Sequence, residues 1–350
     1  MNGDRHRVRR LGRLVIGTAF VVGIAVTSGA AAVRPDASIA LPLPVRDIAM
    51  TGTSVAWVQA PINPYNNLTG VDVCGQVGLW VPGSNRRWQF TPVNTDCTQG
   101  ASTGEGIWDV SVATRRLLWI EYTGGNFRDW WLVTASTTKP KPLRLRHDIR
   151  SVDATPVSTR TPFVVGPGTR AGIPYAVDEE VAFLGENGVT TFRKSVAGPV
   201  RALAAGAGPG RLRVAVVLWN GTIVGLDARG RTVQTIRAQG VVSAIRVSSL
   251  GIAVQRGRLK RGLVVPYPKV SIGSRAVPLP AGARMVDVAQ GHVLWTRAGD
   301  LGMTTIRTGN RVVLANGTGA APYFGQIEES GLAWGKKRTL QWRADVMLTG

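Results

Sequence analysis

Catalytic equipment is scarce in this chain. Only His147 and His292 occur beyond the first 34 residues, and neither stands at a metal-binding spacing. No Gly-x-Ser-x-Gly elbow, His-Glu-x-x-His pair or Gly-x-x-x-x-Gly-Lys loop occurs, so the familiar hydrolase, zinc-protease and P-loop signatures are missing. Ser136-Thr137-Thr138-Lys139 matches Ser-x-x-Lys only on paper, because Pro140 follows at once and the nucleophile needs a helix start. The adjacent Glu179 and Glu180 point apart on a strand and cannot flank one bond. No cofactor is implied, and the pattern does not assign a metal.

Helical periodicity is missing too. No long 3.6-residue pattern appears after residue 35, while Gly (43) and Pro (20) are plentiful, which points to short strands joined by turns. Cysteine is limited to Cys74 and Cys97, in neither a Cys-x-x-Cys nor a zinc-ligand pattern. In an oxidising compartment a bond between them would close a loop and stabilise the fold by about 3 kcal/mol. Two buried thiols are the alternative.

Acidic residues are outnumbered. The net charge is +21, and residues 1–36 hold six Arg and two Asp, which leaves +17 for the remainder. The basic residues are dispersed, with small knots at Arg256-Arg258-Lys260-Arg261 and Lys336-Lys337-Arg338. That scatter argues against specific nucleic-acid binding. It suits salt-sensitive attraction to anionic lipids or wall polymers, or simply a solvated surface.

The N-terminus is a separate element. A basic head (Arg5, Arg7, Arg9, Arg10, Arg13) precedes an uncharged segment, residues 14–33, ending in small residues around Ala32. This is the layout of an export signal, and its length also allows an uncleaved membrane anchor. Residues 1–34 are therefore read as a signal peptide or anchor. Both readings place residues 35–350 outside the cytoplasm, secreted or held on the outer face of the membrane.

What the chain does contain is a recurring phrase. An apolar-Asp-apolar-small strand start is followed by an apolar pair ending in Trp: Val45 to Ala49 with Val55-Ala56-Trp57, Trp108 to Ser111 with Leu117-Leu118-Trp119, and Val286 to Ala289 with Val293-Leu294-Trp295. In that register seven units begin near Val45, Ile107, Ile149 (or Ile173), Val200, Val241, Met285 and Tyr323. The second-strand position is then held by Trp57, Trp119, Phe183, Val254, Trp295 and Trp334, with Leu212 to Trp219 taking that place in the fourth unit. Units of roughly 40 residues, each with four short antiparallel strands, describe an all-β, seven-bladed propeller over residues 35–350. The last unit holds only three strands. Ala37 to Leu43 is expected to supply its fourth, placing Ile39 near Leu340 and latching the ring. Residues 58–106, with both cysteines, read as an insertion, and residues 154–172 blur the third start.

On these residues the chain resembles the TolB-like and WD40-like propellers of bacterial envelope proteins. The carriers are the Asp-Ile-Ala start at Asp47 and the apolar-apolar-Trp second strands, although the Ser-Pro-Asp-Gly turn common in such blades is absent. The resemblance implies a protein-binding platform and transfers no functional residues.

Asp47, Asp109 and Asp287 share one register on channel-lining first strands, and Asp153 joins them if the third blade starts at Ile149. A partial ring of carboxylates could bind a cation or a basic peptide end, or each Asp could accept local backbone N–H bonds. Trp130 and Trp131 are adjacent on a strand, so one of the pair is a candidate exposed contact for a sugar or protein, with packing between blades as the other reading. These features point to a non-catalytic, exported module at the cell envelope, binding an envelope protein or an anionic wall or membrane polymer. Membrane association through residues 14–33 is open. The alternative is a hydrolase or lyase acting on carbohydrate or peptide at the channel mouth, which should show at least two titratable groups with strongly shifted pKa values in one funnel.

Overall fold

Short apolar runs separated by Gly, Asn and Asp turns pair with their neighbours in sequence, and the result is seven four-stranded antiparallel sheets. The computed structural model describes residues 34–60, 75–84, 86–90, 105–124, 127–139, 141–151, 161–237, 240–261, 263–316, 324–328 and 330–344. The chain opens with β1 (Ala37–Ala40). Blade 1 follows as β2 (Val45–Thr51), β3 (Ser54–Gln59), β4 (Gln76–Val81) and β5 (Arg86–Phe90). Blade 2 is β6 (Glu105–Val112), β7 (Arg116–Thr123), β8 (Phe127–Ser136) and β9 (Leu143–Ser151). Blade 3 is β10 (Phe163–Val165), β11 (Gly172–Val177), β12 (Glu180–Gly185) and β13 (Thr190–Ser195). Blade 4 is β14 (Val200–Ala205), β15 (Val214–Leu218), β16 (Ile223–Leu226) and β17 (Thr232–Ile236). Blade 5 is β18 (Val241–Ser248), β19 (Gly251–Lys260), β20 (Leu263–Ile272) and β21 (Arg275–Pro278). Blade 6 is β22 (Arg284–Ala289), β23 (His292–Arg297), β24 (Asp300–Thr305) and β25 (Arg311–Ala315). Blade 7 has β26 (Phe324–Glu328), β27 (Gly331–Lys336) and β28 (Thr339–Arg343), and takes β1 as its fourth strand.

The first strand of each blade packs against the first strands on either side, from β2 through β6, β10, β14, β18, β22 and β26 back to β2. That closed circuit is the ring. The latch forms with Ile39 opposite Leu340, although the strand is Ala37–Ala40, shorter than the expected 37–43. Backbone bonds from Asp36 N–H to Trp342 (2.9 Å) and from Leu41 N–H to Arg338 (2.8 Å) extend it at both ends.

The core is divided among the junctions. Seven clusters of buried side chains are found among the described residues, one between each adjacent pair of blades. Trp57, Trp119, Trp295 and Trp334 each sit in the junction with the preceding blade, as their shared register requires. Two of these rings demand glycine beside them. A Cβ on Gly78, cross-strand from Trp57, would lie 2.0 Å from the indole, and one on Gly302, opposite Trp295, would lie 2.3 Å away.

Three expectations need correction. The third blade starts at neither Ile149 nor Ile173: Ile149 lies on β9, the outer strand of blade 2, and Ile173 lies on β11. The inner strand β10 has three residues and no Asp phrase, so Phe183 falls on the third strand, β12. Residues 58–106 are not wholly an insertion, because β4 and β5 complete blade 1 within them. Cys74 and Cys97 lie outside the described residues, as do residues 14–33. Trp130 and Trp131 are both buried, at 3% and 9% exposure. They do point to opposite faces, but Trp130 enters the junction with blade 3 and Trp131 the junction with blade 1. Inside the ring only the outermost strand of a blade meets solvent, and β8 is not outermost.

Gly78→Ala should therefore lower stability by about 1–3 kcal/mol in urea unfolding, the usual cost of forcing an atom into a packed core. An unchanged midpoint would show that the Trp57 ring can move aside. A chain lacking the residues through Ala40 should unfold at lower urea than one starting at Arg34, because β28 is then an unpaired edge. Equal midpoints would refute the latch.

Candidate functional site

Each inner strand begins on one face of the ring and ends on the other. Near its start, the ladder slips by one residue in four blades: between Val45 and Asp47, Val200 and Ala202, Val242 and Ala244, and Met285 and Asp287. Blade 2 has a larger irregularity, from Trp108 to Ser111. A bulge bends the strand and re-aims the side chain that follows it. The side chains so placed are Asp47, Ala202, Ala244 and Asp287, and Asp47 and Asp287 thus share the register expected from sequence.

Asp47 and Asp287 use their carboxylates in the same way. Asp47 accepts the N–H of Ile48 on one oxygen and that of Val110, in the next blade, on the other, both at 2.9 Å. Asp287 accepts the N–H of Val288 at 2.9 Å and that of Ile327, in the next blade, at 3.0 Å. Its first oxygen also receives Arg246 Nε at 3.1 Å from blade 5. Arg246, Asp287 and Ile327 thus tie three blades together at the axis. The backbone-bonding role holds, with one addition: half of those bonds cross a junction.

Other polar side chains repeat the device. Gln255 accepts the Met285 N–H (2.7 Å) and donates to the Ala283 carbonyl (2.8 Å), joining blades 5 and 6. Gln326 accepts the Met50 N–H (2.6 Å), and Glu328 the Gly52 N–H (2.7 Å), joining blades 7 and 1. Sequence reading passed over these. Their one signal is a lone Gln inside an apolar run, as in Val254-Gln255 and Gly325-Gln326-Ile327.

Asp109 differs from its partners. It adopts left-handed backbone, φ 41°, and its surface is open to solvent. The protein surrounding the axis still raises its carboxyl to about 6. Asp47 is raised to about 7, first by burial and then by the charge of Asp109, against the pull of its backbone donors and Arg246. Burial also raises Asp287, opposed chiefly by Arg246, and lifts Glu328 to about 7. Asp153 lies outside the described residues. Among those described, no three His, Cys, Asp or Glu side chains converge as metal ligands would.

Neither a family model nor a curated protein matches this chain. Among solved structures it is similar to the WD40 domain of Neurospora crassa Pan2, at 13% identity over 90% of this chain and 96% of that one, with a TM-score of 0.52. It is similar to Chaetomium thermophilum Raptor at 9% identity, over 90% of this chain but 29% of that one, with a TM-score of 0.53. A chain in a mitotic checkpoint complex matches at 11% identity over 97% and 99% of the two chains, with a TM-score of 0.53. The fold is a WD40-like β-propeller. At these identities the likeness reaches no further than the fold.

The raised carboxyls have a consequence for stability. Asp47 and Asp109 keep protons in the folded chain that the unfolded chain releases near pH 4. Their contribution is complete below that pH and is lost as pH rises through about 6 to 7. Asp109→Asn removes one of these groups and the repulsion on Asp47, so the variant should gain melting temperature over the parent as pH rises from 5 to 8. Parallel curves for the two proteins would show that these carboxyls do not titrate in that window.

Proposed function

We propose that this chain is an exported, non-catalytic propeller that binds a protein or anionic polymer at the cell envelope. The observation carrying this reading is the occupation of the axial carboxylates. Both oxygens of Asp47 and of Asp287 accept N–H bonds, half of them from the next blade. Groups held in this way maintain the ring and are poorly placed to move a substrate proton. The fold supports the same reading, because a ring of sheets offers broad, rigid faces built from loops. One of the similar chains belongs to a mitotic checkpoint complex. The excess positive charge favours an anionic partner in a salt-sensitive way.

The strand ends that flank the cysteine-bearing segments, the end of β3 with the start of β4 and the end of β5 with the start of β6, lie at the face where inner strands begin. That face is the one on which we place the partner, with a Cys74–Cys97 bond restraining its connections.

One observation favours an enzyme. Asp47 and Asp109 are neighbouring carboxyls raised to about 7 and about 6 at one axis, the signature a hydrolase or lyase would show. Asp109 is the free member, so an acid–base role would rest on it.

Affinity capture from an envelope extract, at low and at high salt, separates these readings. The binding reading expects one protein retained through high salt, or an anionic polymer released by it, with Asp109→Asn capturing as well as the parent. Recovery of nothing at either salt would overturn it. An activity on carbohydrate or peptide that Asp109→Asn abolishes would establish the enzyme instead.

A further inference from the structure

Blade 5 is longer than its own inner strand. β18 is paired with β19 only as far as Val241 opposite Gly257, whereas β19 and β20 continue together through Arg258–Val265, Leu259–Val264 and Lys260–Leu263. Three further pairs carry this hairpin about 10 Å beyond the sheet, on the face where inner strands begin. Arg261, at the turn, has left-handed backbone, φ 51°.

The tip combines two kinds of side chain. Leu259 and Leu263 are 63% and 73% exposed, and Tyr267, lower on the hairpin, is 40% exposed. Arg258, Lys260 and Arg261 are exposed among them, and Arg256 is partly so. No acidic residue occurs from Ala228 to Val286, although eleven Arg and Lys do. Among the described residues, none of Arg258, Lys260 and Arg261 enters an ion pair.

We propose that the β19–β20 tip docks end-on into an anionic lipid surface, with Leu259 and Leu263 entering the acyl boundary and Arg258, Lys260 and Arg261 resting among the headgroup phosphates. Charge complementarity selects the lipid, and the shape of the tip argues for it over a protein. A stable protein interface buries roughly 1,200–2,000 Å², more than a narrow two-stranded finger presents. A bilayer accepts such a finger end-on, because apolar tips partition into its interface while cations neutralise its surface charge. Leucines on opposite faces of the hairpin suit insertion, since they stand at adjacent pairs, Leu259 with Val264 and Leu263 with Lys260, about 3.4 Å apart in depth. The inference rests on the reading of the chain as a binding module, yet the two fail separately. Envelope capture of a protein can succeed whether or not vesicles bind.

The test is co-sedimentation of the full chain with vesicles of phosphatidylglycerol and phosphatidylcholine, and with vesicles of phosphatidylcholine alone. Residues 5–33 carry their own affinity for vesicles, which is the same in parent and variants, so the tip is read from each variant against the parent on the same vesicles. The parent should prefer the anionic vesicles. Arg258→Gln, Lys260→Gln and Arg261→Gln together should lower that partition by about 100-fold. Leu259→Ser and Leu263→Ser together should lower it by at least about tenfold, at unchanged melting temperature. Leu259→Ile with Leu263→Ile should retain it. Equal binding of the parent to both vesicles overturns the proposal. So does a serine variant that binds like the parent, since that would leave only charge attraction.

Discussion

A β-sheet has two faces, and in this chain neighbours cover both faces of each blade over its inner strands. Apolar burial lies in the junctions between sheets rather than within any one of them. A single blade therefore has no core of its own, and a row of blades leaves two raw faces until the ends meet. Closure follows from that constraint. The four register tryptophans, each able to bury roughly 150–250 Å², sit at the junctions for the same reason. Gly78 and Gly302 are small because the indole needs the space a side chain would fill.

The axis raises the opposite problem. Seven inner strands converge there, and their bulges leave backbone N–H groups that the ladders do not satisfy. Asp47, Asp287, Gln255, Gln326 and Glu328 supply acceptors, mostly across a junction. The cost is charge held away from water, which shows as raised pKa values, and Arg246 offsets part of it. The carboxylates that most resemble an active site are thus the ones most occupied in holding the ring together. Asp109, on strained backbone and open to solvent, is the exception.

Much of the architecture was legible in sequence because its period repeats in local chemistry. Six of the seven blade starts fall within two residues of the expected one, and the latch pairs Ile39 with Leu340 as expected. The third start was illegible, because an inner strand of three residues carries too little pattern to compete with Ile149 on a long outer strand. β4 and β5 were missed for a related reason: flanking segments rich in Asn, Gly and Thr made a regular pair of strands read as an insertion. The Trp130-Trp131 error is of another kind. Alternation along a strand was read correctly, but what covers each face is a property of the ring.

By itself, then, the amino-acid order determined where strands begin, which residues share a register, and that the two ends must pair, since these depend on neighbours a few residues apart and on a repeat. Only the tertiary structure decided what the aligned side chains do. Whether Asp47 faces a cation, water or the N–H of Val110 depends on how two blades lie against each other, and no local pattern encodes that. The same holds for the hairpin of blade 5. Leu259 and Leu263 look like ordinary core residues until the sheet ends beneath them and leaves them in solvent.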